Sequence, residues 1–331
     1  MHGGRLAAAR RAFPGAPEPF LDLSTGINPH PYPLPELPSA AFTRLPEPEQ
    51  VAALEAAAAC AYGVADPAMV VAAPGTQALI QLLPRLLALP RVAVLAPGYA
   101  EHAHTWRAAG AVVTEVATLA GLAGAPGAVL CNPNNPDGRR WPAAAVRAAL
   151  PQGLLVVDEA FVDLEPDADT LSLAPGFVPD GVVVLRSFGK TYGLAGLRLG
   201  FAVAAPARAA ALRAALGPWA VSGPAIAAGG VALADPAWRT AMRTRLQQEA
   251  AALDACLRAA GLTVLGGTAL FRLAAAADAP ALFSRLGRAG LLVRRFADRP
   301  EWLRFGLPGS PDAWMRLRAA LPLSAAASSG R

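Results

Sequence analysis

Lys190 is the only lysine in a chain of 331 residues, and arginine supplies the other 28 of its 29 Lys and Arg side chains. An amine can lose its proton and attack a carbonyl, whereas a guanidinium with a pKa above ~12 stays charged and forms no stable imine. Compositional chance in an Ala-, Arg- and Pro-rich chain explains a lone lysine equally well until its neighbours are read. Lys190 lies in Ser187-Phe188-Gly189-Lys190-Thr191-Tyr192-Gly193-Leu194-Ala195-Gly196-Leu197-Arg198, directly after the apolar run Val182-Val183-Val184-Leu185. That run reads as a buried strand, so the lysine is placed at a strand end. There Ser187 and Arg198 can serve a phosphate, and Lys190 an aldehyde.

Four more segments carry chemistry of a matching kind. Pro74-Gly75-Thr76-Gln77 follows a strand and opens a helix, so its N–H groups face an anion, although any capped helix start reads the same way. Pro97-Gly98-Tyr99 places a ring that can stack on a planar ligand, or simply pack. Cys131-Asn132-Pro133-Asn134-Asn135-Pro136-Asp137-Gly138 is a strand followed by a loop twice restricted by proline, which fixes its asparagines in space. Leu154-Leu155-Val156-Val157-Asp158 ends a very apolar strand in an acid, and a carboxylate in such a place requires a cationic partner. A pyridinium nitrogen is one, and the pair keeps that ring an electron sink.

The elements that position these residues follow from the apolar runs. Strands are expected at Met69–Ala72, Arg91–Leu95, Ala111–Val116, Ala128–Cys131, Leu154–Val157, Val182–Arg186 and Leu199–Ala204. Most are continuous rather than alternating, as in strands covered on both faces, and this predicts an α/β fold with a mostly parallel central sheet covered by helices. Open sheets of this kind collect ligands at their strand ends. Beyond about Pro206 the texture changes to Ala/Arg-rich helices with strands at Leu262–Leu265, Ala269–Leu273, Leu291–Arg294 and Leu303–Phe305, a smaller α+β domain. Seven prolines between Pro29 and Pro48 predict an extended arm, and Glu49–Tyr62 a helix stopped by Gly63. The expected division is residues 1–48 as N-terminal segment and arm, 49–206 as large domain and 207–331 as small domain.

Composition excludes several classes. The net charge of +5 is spread over scattered arginines without a basic run, which argues against nucleic acid and suits a small anionic substrate. Cys60, Cys131 and Cys256 are odd in number and widely spaced, as in a reducing compartment. His102 and His104 have no further His or Cys nearby to complete a zinc set, so no metal is expected. Long apolar runs are broken by Arg, Pro or Gly, and the start carries no signal-type stretch; a soluble, cytoplasmic protein without membrane contact is expected.

Together the five segments, in this order and at spacings of 23 residues from Asn135 to Asp158, 32 from Asp158 to Lys190 and 8 from Lys190 to Arg198, resemble the fold-type I pyridoxal-phosphate enzymes of the aspartate aminotransferase superfamily. The resemblance implies that Lys190 holds pyridoxal 5'-phosphate as an imine, that Asp158 pairs with its ring nitrogen and that Asn135 binds its 3′-oxygen. It also implies that Tyr99 stacks on the ring, while Gly75, Thr76, Gln77, Ser187 and Arg198 hold the phosphate. Arg304 matches the superfamily's carboxylate-binding arginine, and Arg294, Asn28 and His2 are candidate contacts to a small phosphorylated amino-acid substrate. Within the superfamily, Met1-His2-Gly3-Gly4 and Asp22-Leu23-Ser24-Thr25-Gly26-Ile27-Asn28-Pro29 look like the L-threonine-O-3-phosphate decarboxylases of cobalamin biosynthesis, and histidinol-phosphate aminotransferases are the alternative. Phe161 stands where those aminotransferases carry a tyrosine, and it serves equally as a packing residue. Leu45 stands where they place a tyrosine that reaches the partner subunit, so the homodimer the resemblance implies forms without that contact.

Overall fold

The computed structural model describes residues 3–151 and 153–322. Its strands are β1 (Leu21–Asp22), β2 (Val70–Ala73), β3 (Arg91–Leu95), β4 (Val112–Val116), β5 (Gly127–Cys131), β6 (Leu154–Asp158), β7 (Val182–Arg186), β8 (Gly200–Ala204), β9 (Thr263–Thr268), β10 (Phe271–Ala275), β11 (Leu291–Leu292), β12 (Arg294–Arg295) and β13 (Trp302–Gly306). The chain divides into two compact units: residues 31–135 with 139–241, and residues 3–30 with 136–138 and 242–322.

The larger unit is built on a seven-stranded sheet of order β2-β8-β7-β6-β5-β3-β4. Strand β8 runs antiparallel to both its neighbours and every other pairing is parallel. The apolar runs explain this placement. Leu155, Val157, Val182 and Val184 enter one core, and Leu154, Val156, Val183 and Leu185 enter another. Successive residues thus feed opposite faces, and both faces are covered by helices. Strand β4 is largely exposed and lies at the sheet edge, where Thr114 and Glu115 meet water.

The helix Pro48–Tyr62 begins with proline at its first position, where the missing N–H costs nothing, and stops at Gly63 with φ +69. The preceding arm has no regular structure from Pro31 to Pro38, but residues Ala40–Thr43 wind into one helical turn, which the proline count did not predict. Gly223 meets that turn closely, since a Cβ on it would lie 2.1 Å from the Ala41 carbonyl oxygen.

The smaller unit holds an antiparallel sheet of order β12-β13-β10-β9 and the parallel pair β1-β11. The expected run Leu291–Arg294 is split, because Leu291–Leu292 pairs with β1 while Arg294–Arg295 pairs with β13. The unit boundaries also differ from the expected division at residues 48 and 206. Residues 3–30 go with the smaller unit through β1, and the helices Pro206–Leu216 and Gly223–Leu233 stay with the larger one, because Leu212, Ile226 and Leu233 are buried in its cores.

Candidate active site

In the larger unit β2, β3, β5, β6 and β7 point the same way, so the segments that follow them emerge at one sheet edge; Arg198, before the antiparallel β8, reaches the same edge. This is where a mostly parallel sheet leaves room for a ligand.

Gly75 opens the helix Thr76–Leu87 at φ +82, and a Cβ there would lie 2.8 Å from an Arg198 guanidinium nitrogen. A Cβ on Gly200 would lie 2.7 Å from the Thr76 backbone nitrogen. Both glycines therefore keep space in front of a helix N-terminus and an exposed guanidinium, the ingredients of an anion cradle. Arg198 itself adopts the left-handed conformation at φ +54, uncommon for a residue with a side chain. Gln77, expected at the phosphate, accepts a hydrogen bond from the Tyr99 hydroxyl (3.2 Å) and donates one to Glu101 (3.1 Å), so its amide ties two neighbours together.

Asp158 ends β6, 5% exposed, where an unpaired carboxylate would be costly. Its Oδ1 accepts the Ala160 N–H (3.1 Å) and its Oδ2 pairs with His102 Nε2 (3.0 Å). Burial pushes the Asp158 carboxyl up, but the His102 hydrogen bond and charge, with the Lys190 ammonium, outweigh it and hold the group below the ordinary aspartate range. For His102 burial opposes the charged form, and hydrogen bonds to Asp158 and Cys131 carry its pKa up to about 10. His102, Cys131 and Asp158 bring their ligand atoms within 4.8 Å of one another, and all three are buried. The sequence offered one hint to His102, its place three residues after Tyr99 on a helix, but nothing named Asp158 as its partner.

Lys190 is half-buried in the short helix Phe188–Thr191, which starts at Ser187 beyond β7. Its Nζ lies 4.4 Å from the centroid of the Phe161 ring, which presents no hydroxyl. Asn135 is 7% exposed on the loop after β5, and neighbouring Asn132 clamps that loop by donating to the Trp141 and Leu171 carbonyls.

In the smaller unit Arg304 is 3% exposed and donates to the Ser24 carbonyl (2.9 Å). Arg294 on β12 is its direct cross-strand partner on β13. Each guanidinium lies on an aromatic ring, Arg304 at 4.7 Å from the Phe271 centroid and Arg294 at 5.3 Å from that of Phe296. Asn28 is buried and its Oδ1 accepts the His30 N–H (2.9 Å). His2 lies outside the described residues.

Residues 34–320 match the family described as aminotransferase class I and II. The chain belongs to that family. It is 44% identical to a threonine-phosphate decarboxylase from Sinorhizobium sp, over 95% of this chain and 94% of that one, and 44% identical to another from Pseudomonas aeruginosa, over 97% and 96%. The structure of histidinol-phosphate aminotransferase from Sinorhizobium meliloti in complex with pyridoxal-5'-phosphate superposes with a TM-score of 0.77 at 25% identity, covering 96% of this chain and 93% of that one. The architecture is therefore the fold-type I arrangement expected. The cradle at Gly75, Thr76 and Arg198, the buried acid Asp158 and the single lysine fit a planar, anionic, aldehyde-bearing cofactor.

Proposed function

We propose that the chain is a pyridoxal 5'-phosphate-dependent carboxy-lyase that converts L-threonine-O-3-phosphate to (R)-1-amino-2-propanol O-2-phosphate and CO2. The observation that carries this reading is the near full-length identity to two threonine-phosphate decarboxylases. By the same likeness the product enters cobalamin side-chain assembly. When bound, the cofactor supplies a conjugated electron sink for the bond broken at the substrate Cα.

The residues supply the rest. Gly75, Thr76 and Arg198 hold a phosphate, with Ser187 and Gln77 beside them. Asp158, kept ionised by His102, offers a negative charge to a cationic ring nitrogen, and Asn135 a hydrogen bond to the ring oxygen. Tyr99 stacks on the ring. Lys190 would carry the cofactor, and its amine would be the group that supplies a proton to the substrate Cα. Arg304 and Arg294, with Asn28 and His2, bind the substrate's carboxylate and phosphate. Their hold on those two groups would orient the substrate, and with it the choice of Cα bond. Phe161 lends Lys190 an aromatic face without a hydroxyl, and it is by resemblance alone that this residue type sides with the decarboxylase reading.

We also infer a cytoplasmic homodimer. The free cysteines Cys60, Cys131 and Cys256 suit a reducing compartment, and among the described residues no helix is long and apolar enough to cross a membrane. Leu45 and Val231 are exposed on the lining of a groove of about 570 Å³, and Phe42 is exposed on the turn Ala40–Thr43 whose first two residues line it; a second copy would cover this apolar face.

The test is incubation of the cofactor-loaded protein with L-threonine-O-3-phosphate and no keto acid. CO2 and amine in equal amounts over many turnovers are expected. No CO2, together with turnover of histidinol phosphate plus 2-oxoglutarate, would mean an aminotransferase.

A further inference from the structure

Arg186, the last residue of β7, is buried four positions before Lys190. One guanidinium nitrogen donates to Glu159 Oε2 (3.1 Å) and to the Ser172 hydroxyl (2.9 Å), and another binds Asp163 Oδ1. Glu159 is completed by the Ser172 hydroxyl (2.6 Å) and the Leu173 N–H (2.6 Å), and the Arg186 guanidinium lies 4.3 Å from the Tyr62 ring centroid. Two carboxylates thus meet one buried guanidinium, and each is held by a further hydrogen bond as well. Asp163 is the second carboxylate. Its other oxygen accepts a hydrogen bond from the Thr191 hydroxyl (2.8 Å), on the residue after Lys190.

Two residues before Asp163, Phe161 begins the same 3-10 turn, Val162–Leu164, and its ring faces the Lys190 ammonium. One short segment therefore grips the lysine and its neighbour at two points. Thr191 is 1% exposed, and its hydroxyl stands 2.8 Å from Asp163 Oδ2 against 3.4 Å from the Ser187 carbonyl, so the carboxylate is the closer acceptor. We propose that Asp163 is a positioning residue for Lys190: through Thr191 it fixes the turn Phe188–Thr191, so that the amine keeps one direction both when it captures the cofactor and when it is free to move a proton. The proposal rests on the reading that Lys190 carries the cofactor.

Thr191→Val removes the hydroxyl at nearly constant shape and leaves the pair of Arg186 with Asp163 in place, while Thr191→Ser restores it. Cofactor-free protein is mixed with pyridoxal phosphate, and growth of the visible band of the lysine-bound cofactor is timed. Steady-state kinetics on L-threonine-O-3-phosphate follow. Thr191→Val is expected to slow band growth and lower kcat by about tenfold each, with KM within about twofold of wild type, and Thr191→Ser to recover both. Loss of stability alone would not move the rate of cofactor capture by folded protein. Wild-type rates in Thr191→Val would overturn the proposal. Asp163→Asn is expected to match Thr191→Val; where it does not fold, the Thr191 pair decides. A wild-type chain that forms no band, or a Lys190→Ala variant that does, sinks the Lys190 assignment instead.

Discussion

His102 carries a charge that its burial alone would remove, and this has a consequence for stability. Its pKa stands at about 10 in the folded chain against 6.5 for the ordinary side chain, so the folded state binds the proton more tightly. The contribution is complete below about pH 6.5 and is lost as pH rises toward about 10. Melting temperature is therefore expected to fall across that interval, and a His102→Gln variant to lack this part of the slope; scanning calorimetry in a pH series measures both. Asp158 works in the opposite direction, its contribution present above the ordinary aspartate range and lost on acidification. Lys190, Asp158, Gly75 and Arg198 stood out in the sequence because few residue types could fill the role proposed for each. His102 and Asp163 did not. Their partners lie 56 and 28 positions away, and only the pairing of strands brings them together.

At the level of elements, every strand of the large sheet was placed within about two residues, the inner ones because a strand covered on both faces has no polar side to blur its apolar run; exposed β4 was placed despite Thr114 and Glu115. Two-residue strands escaped. Leu21–Asp22 is too short to show a period, and nothing in Leu291–Arg294 indicates that the chain changes partner at Val293. The turn Ala40–Thr43 escaped as well, hidden among prolines, although Gly223 records its presence by leaving room for the Ala41 carbonyl. Gly223→Val must displace that backbone, because the obstructing atom is not the end of a flexible side chain. A loss of about 1–3 kcal/mol is expected, read as a lowered denaturant midpoint with unchanged slope.

For the molecule as a whole, the texture change near Pro206 suggested a domain boundary that packing sets later, because alanine-rich helices look alike whichever core they bury their faces in. The homodimer belongs to this scale. Phe42 is 66% and Leu45 63% exposed on the single chain, beside the apolar groove that Leu45 and Val231 line. Sedimentation is expected to give the mass of two chains, and Phe42→Asp to shift it toward one at low concentration; a wild-type monomer at every concentration would refute the dimer. The arginine-for-lysine composition has its own corollary at this scale. Because Lys190 is the one side-chain amine and stands half-buried at the candidate site, reagents that acylate amines have nothing else to modify beyond the chain's α-amino group. Peptide-level mapping of such labels, which separates Lys190 from the α-amino group, thus becomes a site-specific occupancy assay in which the other side chains carry no amine to label.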